Sequence, residues 1–218
     1  MAVDDRALND LRQLALRDAE LADQAARLRE LDAEVAKIRA AAETVDRFFA
    51  GYPAEDTARR DALREAEAEL ARRRDELRDA ESTLAQARDD GARAHARYAV
   101  DRAHDHVAVA ESCLARAREA HGELEREAAA LPGRIPALEE RAAAIASEVP
   151  DVPASGKGPR GLIDWASHAH AGLFVAAGHI DTQRERMIRE ANELASMLTG
   201  EPTYGSTTAQ ALARAEMR

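Results

Sequence analysis

The sequence contains very few aromatic residues and a single cysteine, Cys113. Phe, Tyr and Trp together make up 3% of the chain, which is too little bulk to fill a thick globular core. One cysteine excludes an internal disulfide, and the lack of a Cys-x-x-Cys pair excludes the zinc ribbon that accompanies some coiled-coil hairpins. No charged-then-apolar leader with a small-residue cleavage site opens the chain. We therefore expect thin layers of structure and a cytoplasmic protein.

Long apolar runs are missing as well. The longest uncharged one spans residues 169–180 and includes two histidines, whereas roughly twenty apolar residues are needed to cross a bilayer. Lysine occurs only at positions 37 and 157, and the formal net charge is -10. A surface that neutralises the phosphates of a nucleic acid is strongly basic. The sequence therefore predicts neither a transmembrane segment nor a nucleic-acid partner.

Apolar residues recur instead at every seventh position through most of the chain. The main series are Leu14, Leu21, Leu28, Val35, Ala42 and Phe49; Leu63, Leu70, Leu77 and Leu84; and Leu173, Ile180, Met187 and Leu194. Such repeats form the seam of a helix that packs lengthwise on other helices. The predicted fold is all-α. It has long antiparallel coiled-coil helices, arranged as a hairpin or as an elongated three- to four-helix bundle, and a C-terminal apolar helix after a Pro/Gly linker.

Glycine and proline set the predicted boundaries of the first helices. The first helix is expected over residues 4–50, because the tripeptide Gly-Tyr-Pro at 51–53 is typical of a helix stop. The seven-residue pattern then resumes and changes phase at Gly91. Either the chain turns there to form a hairpin, or one helix continues to Leu131. We prefer the continuous helix, since so short a link seldom joins long antiparallel helices.

Proline and glycine also divide the rest of the chain into shorter pieces. Two prolines between residues 131 and 136 break the helix, and three prolines with three glycines indicate a flexible linker further on. The predicted pieces are a short helix at 137–148, the linker at 150–161, a long helix at 162–198 and a terminal helix at 208–217 capped by Ser206 or Thr207. The predicted domain organisation is a coiled-coil region (1–149), the linker (150–161), a C-terminal helix (162–199) and a tail (200–218) with a short helix.

Seven histidines raise the question of a metal site. Asp101 and His104 have a spacing that can place a carboxylate and an imidazole on one ion, but a dinuclear site in a helical bundle needs two such pairs and two more glutamates. His168 and His179 share a helix face about 16 Å apart, too far for one ion. We therefore predict no metal ligand. His121 is expected in the helix seam, and the surface histidines are His95, His104, His106, His168, His170 and His179.

Two further features fall short of an active site. The segment Gly-Lys-Gly-Pro-Arg-Gly at 156–161 lacks the Ser/Thr and the preceding strand of a phosphate-binding loop. Cys113 lies beside the seam residue Leu114, so we expect it packed or half-exposed at a helix interface. No base that would activate its thiol is indicated. The sequence therefore predicts no nucleotide, no cofactor and no catalytic residue.

The most unusual composition lies in the helix after the linker. Gly172 and Gly178 each cost about 1 kcal/mol relative to alanine inside a helix, and apolar residues cover more than one of its faces. Such a helix is either buried on several sides or meets a partner, and both interpretations are open. Our hypothesis is that the linker frees this helix to act as the principal interaction face. The residues of that face are Trp165, Leu173, Phe174, Ala177, Ile180, Met187 and Leu194.

These features together predict a protein that is not an enzyme. The leading interpretation is a coiled-coil scaffold or adaptor that acts through protein–protein contacts and self-association, with residues 162–198 as its docking element. It would form a homo-oligomer or a hetero-complex. The alternative is a monomeric helical regulatory subunit that binds a partner protein such as an ATPase or GTPase. The sequence does not indicate which protein that partner is.

Overall fold

Helices account for nearly the whole chain in the computed structural model, which describes residues 2–217 and, from Asp5 onward, their side chains. The elements are α1 Ala2–Gln86, α2 Asp90–Ala130, a 3-10 turn at Pro132–Arg134, α3 Ile135–Glu148, α4 Gly158–Thr199 and α5 Thr208–Glu216. Long helices pack antiparallel, and no strand occurs within residues 2–217. The predicted all-α class is therefore confirmed.

Helix α1 continues through Gly51 and Pro53, so the predicted stop at this point is wrong. A proline inside a helix removes one backbone hydrogen bond and ordinarily kinks or breaks it. Here three aromatic rings cluster just before the proline: the Phe48 centroid lies 5.3 Å from that of Phe49 and 5.8 Å from that of Tyr52. Ring pairs at this spacing are favourable and stabilise the turn of α1 before the proline.

The chain turns at residues 87–89, so the preferred continuous helix is wrong and the hairpin is the observed topology. Asp89 is the N-cap of α2, and its Oδ1 accepts a hydrogen bond from the Ala92 amide at 2.7 Å. Asp90 adds a negative charge to the first turn, where the helix dipole favours it. Three residues suffice for the turn because this cap starts the second helix at once.

The chain divides into two compact units, and each has its own core. The hairpin unit is Thr44–Arg134, and the bundle unit combines Met1–Glu43 with Ile135–Arg218. The domain boundaries inferred from the sequence describe a different division and stay a prediction.

The core of the hairpin unit is the thin seam expected of two helices. Leu70 of α1 packs on Ala110 and Leu114 of α2, and all three are buried. Arg74 of α1 pairs with Glu111 of α2 at 2.8 Å across the same interface. Small alanine side chains on α2 allow the two helix axes to approach closely, so the unit holds together with little bulk.

One polar contact interrupts this seam. The Nε2 atom of His121 lies 3.3 Å from Asp56 Oδ1, and Nδ1 lies 3.6 Å from Glu125 Oε1. Nε2 is buried and has no hydrogen-bond partner among residues 5–217, so it lies close to Asp56 without a directional hydrogen bond. A polar pair within an apolar seam favours one register of the two helices over the others.

The core of the bundle unit joins the first part of α1 to α3 and α4. Its buried members include Val35, Ile38 and Ala42 of α1, Leu138, Ala142 and Ile145 of α3, and Leu162, Trp165 and Leu173 of α4. A second, smaller cluster contains Leu11, Ala191, Ala195 and Ala211 and attaches α5 to α1 and α4. The seven-residue series at the ends of the chain therefore pack on each other within one molecule.

A buried carboxylate ties three helices of the bundle unit together. Asp18 of α1 accepts hydrogen bonds from Arg184 Nε of α4 at 2.8 Å and from Thr208 Oγ1 of α5 at 2.7 Å. A buried charge is tolerated only when it is paired in this way. Thr207 caps α5, as predicted, and forms a reciprocal capping box with Gln210.

The segment between α3 and α4 is packed against the bundle unit, although its composition predicted a flexible linker. The indole Nε1–H of Trp165 donates to the Pro153 carbonyl at 2.9 Å, and Val152 is buried in the core. Glu139 of α3 accepts the Gly158 amide at 2.7 Å, which supplies the cap that α4 otherwise lacks. The segment therefore fastens α4 instead of freeing it.

The close approach of this segment to α4 can be tested at two glycines. A Cβ at Gly172 would lie 2.7 Å from the Asp151 carbonyl oxygen, whereas one at Gly178 meets nothing within 4 Å. Gly172→Ala should therefore lower the free energy of unfolding by about 1–3 kcal/mol. Gly178→Ala, its matched control on the same helix, should raise that energy by about 0.5–1 kcal/mol. Urea unfolding, monitored by circular dichroism, measures the free energy of unfolding of both variants. Equal stabilisation by the two substitutions would contradict the close packing of residue 151 on Gly172.

An exposed ion pair adds a pH-dependent contact between α1 and α3. Arg27 Nε lies 2.7 Å from Glu148 Oε1, and Arg27 Nη2 donates to Oε2 at 2.9 Å, so the pair is bidentate. The hydrogen bond from Arg27 holds the pKa of the Glu148 carboxyl below its ordinary value and raises the pKa of the guanidinium. Because both side chains are exposed, the contribution to stability is small.

Removal of the Glu148 charge should lower stability in a pH-dependent way. A carboxyl whose pKa is lower in the folded state than in the unfolded state stabilises the fold. This stabilisation is complete above the unfolded-state pKa, here near 4.5, and it is lost as the pH falls through the folded-state pKa. Glu148→Gln should therefore be less stable than wild type at about pH 7, and the difference should disappear at low pH. Equilibrium unfolding over this range tests it. Glu140→Gln, an exposed acid of α3, is the control for loss of charge, and a difference independent of pH would refute the assignment.

Candidate interaction surface

The residues predicted to form an interaction face fall into two groups on α4. Trp165 and Leu173 are only 3% and 1% exposed and belong to the core of the bundle unit. Ile180, Met187 and Leu194 are half-buried. Leu173, Ile180, Met187 and Leu194 form the seven-residue series. Leu173 belongs to the core that α4 shares with α1 and α3, and Leu194 packs on the cluster that contains Leu11 of α1. Their participation in an intermolecular contact stays a prediction.

Phe174 differs from the others because its ring points into solvent. Its side chain is 74% exposed, and that of the neighbouring Val175 is 51% exposed. Helix geometry explains the contrast with Leu173, since successive residues lie about 100° apart around the axis. Leu173 faces α1 and α3, and Phe174 is therefore turned away from them. Phe174 is the predicted residue most accessible to a partner.

A shallow groove between α1 and α4 lies beside this ring, and we call it the Phe174 groove. It measures about 280 Å³ and is lined by Leu28, Arg29 and Asp32 of α1 and by Leu173, Phe174, Ala177, Gly178 and Asp181 of α4. Small-molecule sites usually measure about 300–1,000 Å³. The groove lies at the lower end of this range, and one or two side chains of another protein would fill it.

Charged groups border the Phe174 groove and cross from one helix to the other. His170 Nδ1 lies 2.6 Å from Asp32 Oδ1, and Arg29 Nη2 lies 3.8 Å from Asp181 Oδ1. Arg29, His170 and Asp181 are exposed and Asp32 is half-buried, so the three exposed side chains can exchange these contacts for contacts with a partner. An apolar floor with a charged border is the usual composition of a docking surface.

The three residues that α1 contributes to the groove were missed from the sequence, as were Gly178 and Asp181 of α4 as site residues. Leu28 was assigned only to the helix seam, and Arg29 and Asp32 had no signal beyond the ordinary charge of a solvated helix face. Their role depends on α4 lying antiparallel along α1. A heptad pattern predicts that a helix has a partner, but it does not identify that partner within the chain.

A second cavity, of about 750 Å³, lies where the 200–207 segment folds against the end of α4. Met197 and Tyr204 line it and are exposed, whereas Asn192 is buried and donates from Nδ2 to the Ser206 carbonyl at 2.8 Å. Thr203 Oγ1 donates to the Asn192 carbonyl at 2.7 Å. These hydrogen bonds secure the segment to α4, whereas the buried Oδ1 of Asn192 has no hydrogen-bond partner among residues 5–217.

Most of the histidines and the cysteine are exposed on helix surfaces, and His106 is half-buried. His95, His104, His168 and His179 are exposed, and no group of three or more His, Cys, Asp and Glu side chains within residues 5–217 is arranged to hold a metal ion. Cys113 is exposed on α2, so the expectation of a packed or half-exposed thiol is wrong. Its Sγ accepts a weak contact from Arg116 at 3.3 Å.

Comparison with known proteins adds no family to this description. No protein-family model, curated protein or solved structure matches the chain. None of the helices within residues 2–217 is long and apolar enough to cross a membrane. The groove and the exposed helix faces are therefore the features of the molecule that indicate a function.

Leu173 and Phe174 are neighbours on α4, but truncation to alanine should destabilise the protein only at Leu173. Leu173→Ala removes a buried side chain from the core and should lower the free energy of unfolding by about 2–5 kcal/mol. Phe174→Ala removes an exposed ring and should change that energy by less than about 0.5 kcal/mol. Thermal unfolding of the two variants measures the difference. A large loss in Phe174→Ala would mean that the ring is a packing residue, which would remove it from the candidate surface.

Proposed function

We propose that this protein is a non-catalytic helical scaffold or adaptor that binds another protein through the Phe174 groove. The observation that carries the proposal is the exposed Phe174 ring beside an apolar groove floored by Leu28 and Leu173. Burial of such a ring on binding contributes about 1.5–3 kcal/mol.

The form of the groove supports an amphipathic helix as the segment it receives. A helix laid into a groove between two helices presents apolar residues at intervals of three and four positions. Its flanking charges would meet Arg29 and Asp181 at one end and Asp32 and His170 at the other. Aromatic residues surrounded by such a border often dominate the binding energy of an interface.

One observation favours the alternative of a monomeric regulatory subunit. The seven-residue series of α4 packs on α1 of the same chain, with Leu173 buried and Leu194 half-buried, so it does not need a second copy to cover it. A regulatory subunit would use the same Phe174 groove to hold one partner, for example an ATPase or GTPase. The two functions differ in stoichiometry and not in the surface used.

A photo-crosslinking phenylalanine analogue placed at position 174 tests the proposal in the native host. The matched control carries the analogue at Met197, which is similarly exposed, at 71%, but lies outside the groove. We expect one defined partner at position 174 and none at position 197, because specific contacts concentrate at the groove. Mass spectrometry then identifies the partner.

Reconstitution with that purified partner completes the test. Phe174→Asp should weaken binding at least about tenfold, in line with the loss of a buried ring, while its circular dichroism spectrum and melting temperature stay unchanged. The mass of the complex distinguishes a scaffold of several copies from a one-to-one regulatory subunit. Identical crosslinks at both positions, or undiminished binding by Phe174→Asp, would rule out the groove as the docking site.

A further inference from the structure

The cavity between the end of α4 and the 200–207 segment contains a buried polar atom that has no partner. Asn192, which is only 8% exposed, lines this space of about 750 Å³, and we call it the Asn192 cavity. The Nδ2 atom of Asn192 donates to the Ile188 and Ser206 carbonyls at 2.6 and 2.8 Å, whereas its Oδ1 has no hydrogen-bond partner among residues 5–217. Buried acceptors are nearly always paired. An N–H or O–H donor is therefore needed at Oδ1.

Two charged side chains line the Asn192 cavity on the same turn of α4. Arg189 and Glu193 lie three residues before and one residue after Asn192, and both are exposed. Arg189 uses only Nε, which donates to the Glu185 carbonyl at 3.3 Å, so its other N–H groups are available. Glu193 forms no ion pair or hydrogen bond with any residue between 5 and 217. A cation, a neutral acceptor and an anion therefore line one turn of the helix.

The rest of the cavity wall includes large apolar side chains that are open to contact. Met197 and Tyr204 line the cavity and are 71% and 88% exposed, and Ile188 is half-buried beside them. A thioether and a phenol ring both form favourable contacts with an aromatic ring. Sites for small molecules usually measure about 300–1,000 Å³. The Asn192 cavity is therefore large enough for a ligand that carries one aromatic ring.

We propose that the Asn192 cavity binds a free aromatic amino acid. The ammonium group donates to Asn192 Oδ1 and to the Glu193 carboxylate. The carboxylate of the ligand accepts from Arg189, whose planar guanidinium matches the geometry of a carboxylate. The aromatic side chain lies on Met197 and Tyr204. Adjacent positive and negative groups on one ligand satisfy all three polar side chains at once, because these side chains share one helical turn.

The ligand reaches Asn192 Oδ1 by a movement of the segment that covers it. This segment has a glycine near each end, and both Gly200 and Gly205 have a φ of 70°, a left-handed conformation that glycine adopts without strain. Between them, Thr203 is the attachment point, since its Oγ1 donates to the Asn192 carbonyl at 2.7 Å. The residues between the two glycines therefore lift as a short strap, and Tyr204 closes over the bound ring.

Ligand-detected NMR titrations of the full chain with L-phenylalanine and L-tryptophan test the proposal. We expect saturable binding with a dissociation constant of about 1 mM or lower, since a ligand of this size makes few contacts. Two analogues of L-phenylalanine are the matched controls. L-phenylalaninamide lacks the carboxylate but keeps a protonated amine at about pH 6, and 3-phenylpropionate lacks the ammonium group. Each should bind at least about fivefold more weakly than L-phenylalanine at that pH, and equal binding of either analogue would overturn recognition of both charges.

Substitutions at the wall of the cavity locate the binding site. Glu193→Gln and Arg189→Gln each remove one charge and should weaken binding of L-phenylalanine at least about fivefold, and Tyr204→Ala should weaken it at least about threefold. Glu190→Gln and Arg186→Gln are the matched controls, because these residues are exposed on α4 but do not line the cavity. They should leave the dissociation constant unchanged. Circular dichroism should show equal helicity in all variants, since every substituted side chain is exposed.

The outcomes are independent of the proposed docking function, which uses the Phe174 groove. Saturable binding of either amino acid that the three cavity substitutions weaken supports the Asn192 cavity as the site. Binding that is indifferent to all three substitutions overturns this site. The absence of saturable binding of both amino acids below about 10 mM also overturns it, and a buried water then satisfies Asn192 Oδ1. Protein docking is tested separately, by crosslinking at position 174.

Discussion

The bundle unit depends on how the short segment between α3 and α4 is attached to α4. A long amphipathic helix on a flexible tether could pack on its own chain or on another molecule, and the attachment decides between them. Three contacts attach the segment to the bundle unit. The Trp165 indole donates to the Pro153 carbonyl, Val152 is buried in the core, and Gly172 lies close to Asp151. Because α4 is held from its first turns, its apolar series meets α1 and α3 of the same chain. The Phe174 groove exists only as a result of this placement.

Polar groups are used sparingly and at defined points in both units. Asp18 joins α1, α4 and α5 by accepting from Arg184 and Thr208, and His121 faces Asp56 within the hairpin seam. Most other ion pairs link residues three or four positions apart on one exposed helix face, where they contribute little. The buried polar contacts therefore determine which helices meet, and in which register, whereas the surface pairs support individual helices.

The sequence predicts the helical class and most seam positions because a seven-residue repeat is a direct consequence of helix geometry. The positions at which helices end were harder to predict from the sequence. Gly51 and Pro53 have the composition of a helix stop, yet α1 passes through them beside three clustered rings, a contact that composition does not reveal. At Gly91 the informative residue was Asp89, whose capping role makes a three-residue turn possible. Of the candidate site, Leu173, Phe174 and Ala177 were predicted, but Arg29 and Asp32 become recognisable only when α4 lies on α1. The glycines of α4 contained a further signal, since Gly172 is required for the approach of residue 151 and Gly178 is not.

Trp165 is the only tryptophan of the chain, and it lies in the bundle unit, fully enclosed and hydrogen-bonded through its indole to Pro153. Its fluorescence emission therefore reports the environment of one unit alone, while the helical signal in circular dichroism comes from both. The protein thus contains a natural optical probe that distinguishes melting of the bundle from melting of the hairpin without any label. Since the probe also touches the segment before α4, detachment of that segment would shift its emission before most of the helical signal is lost.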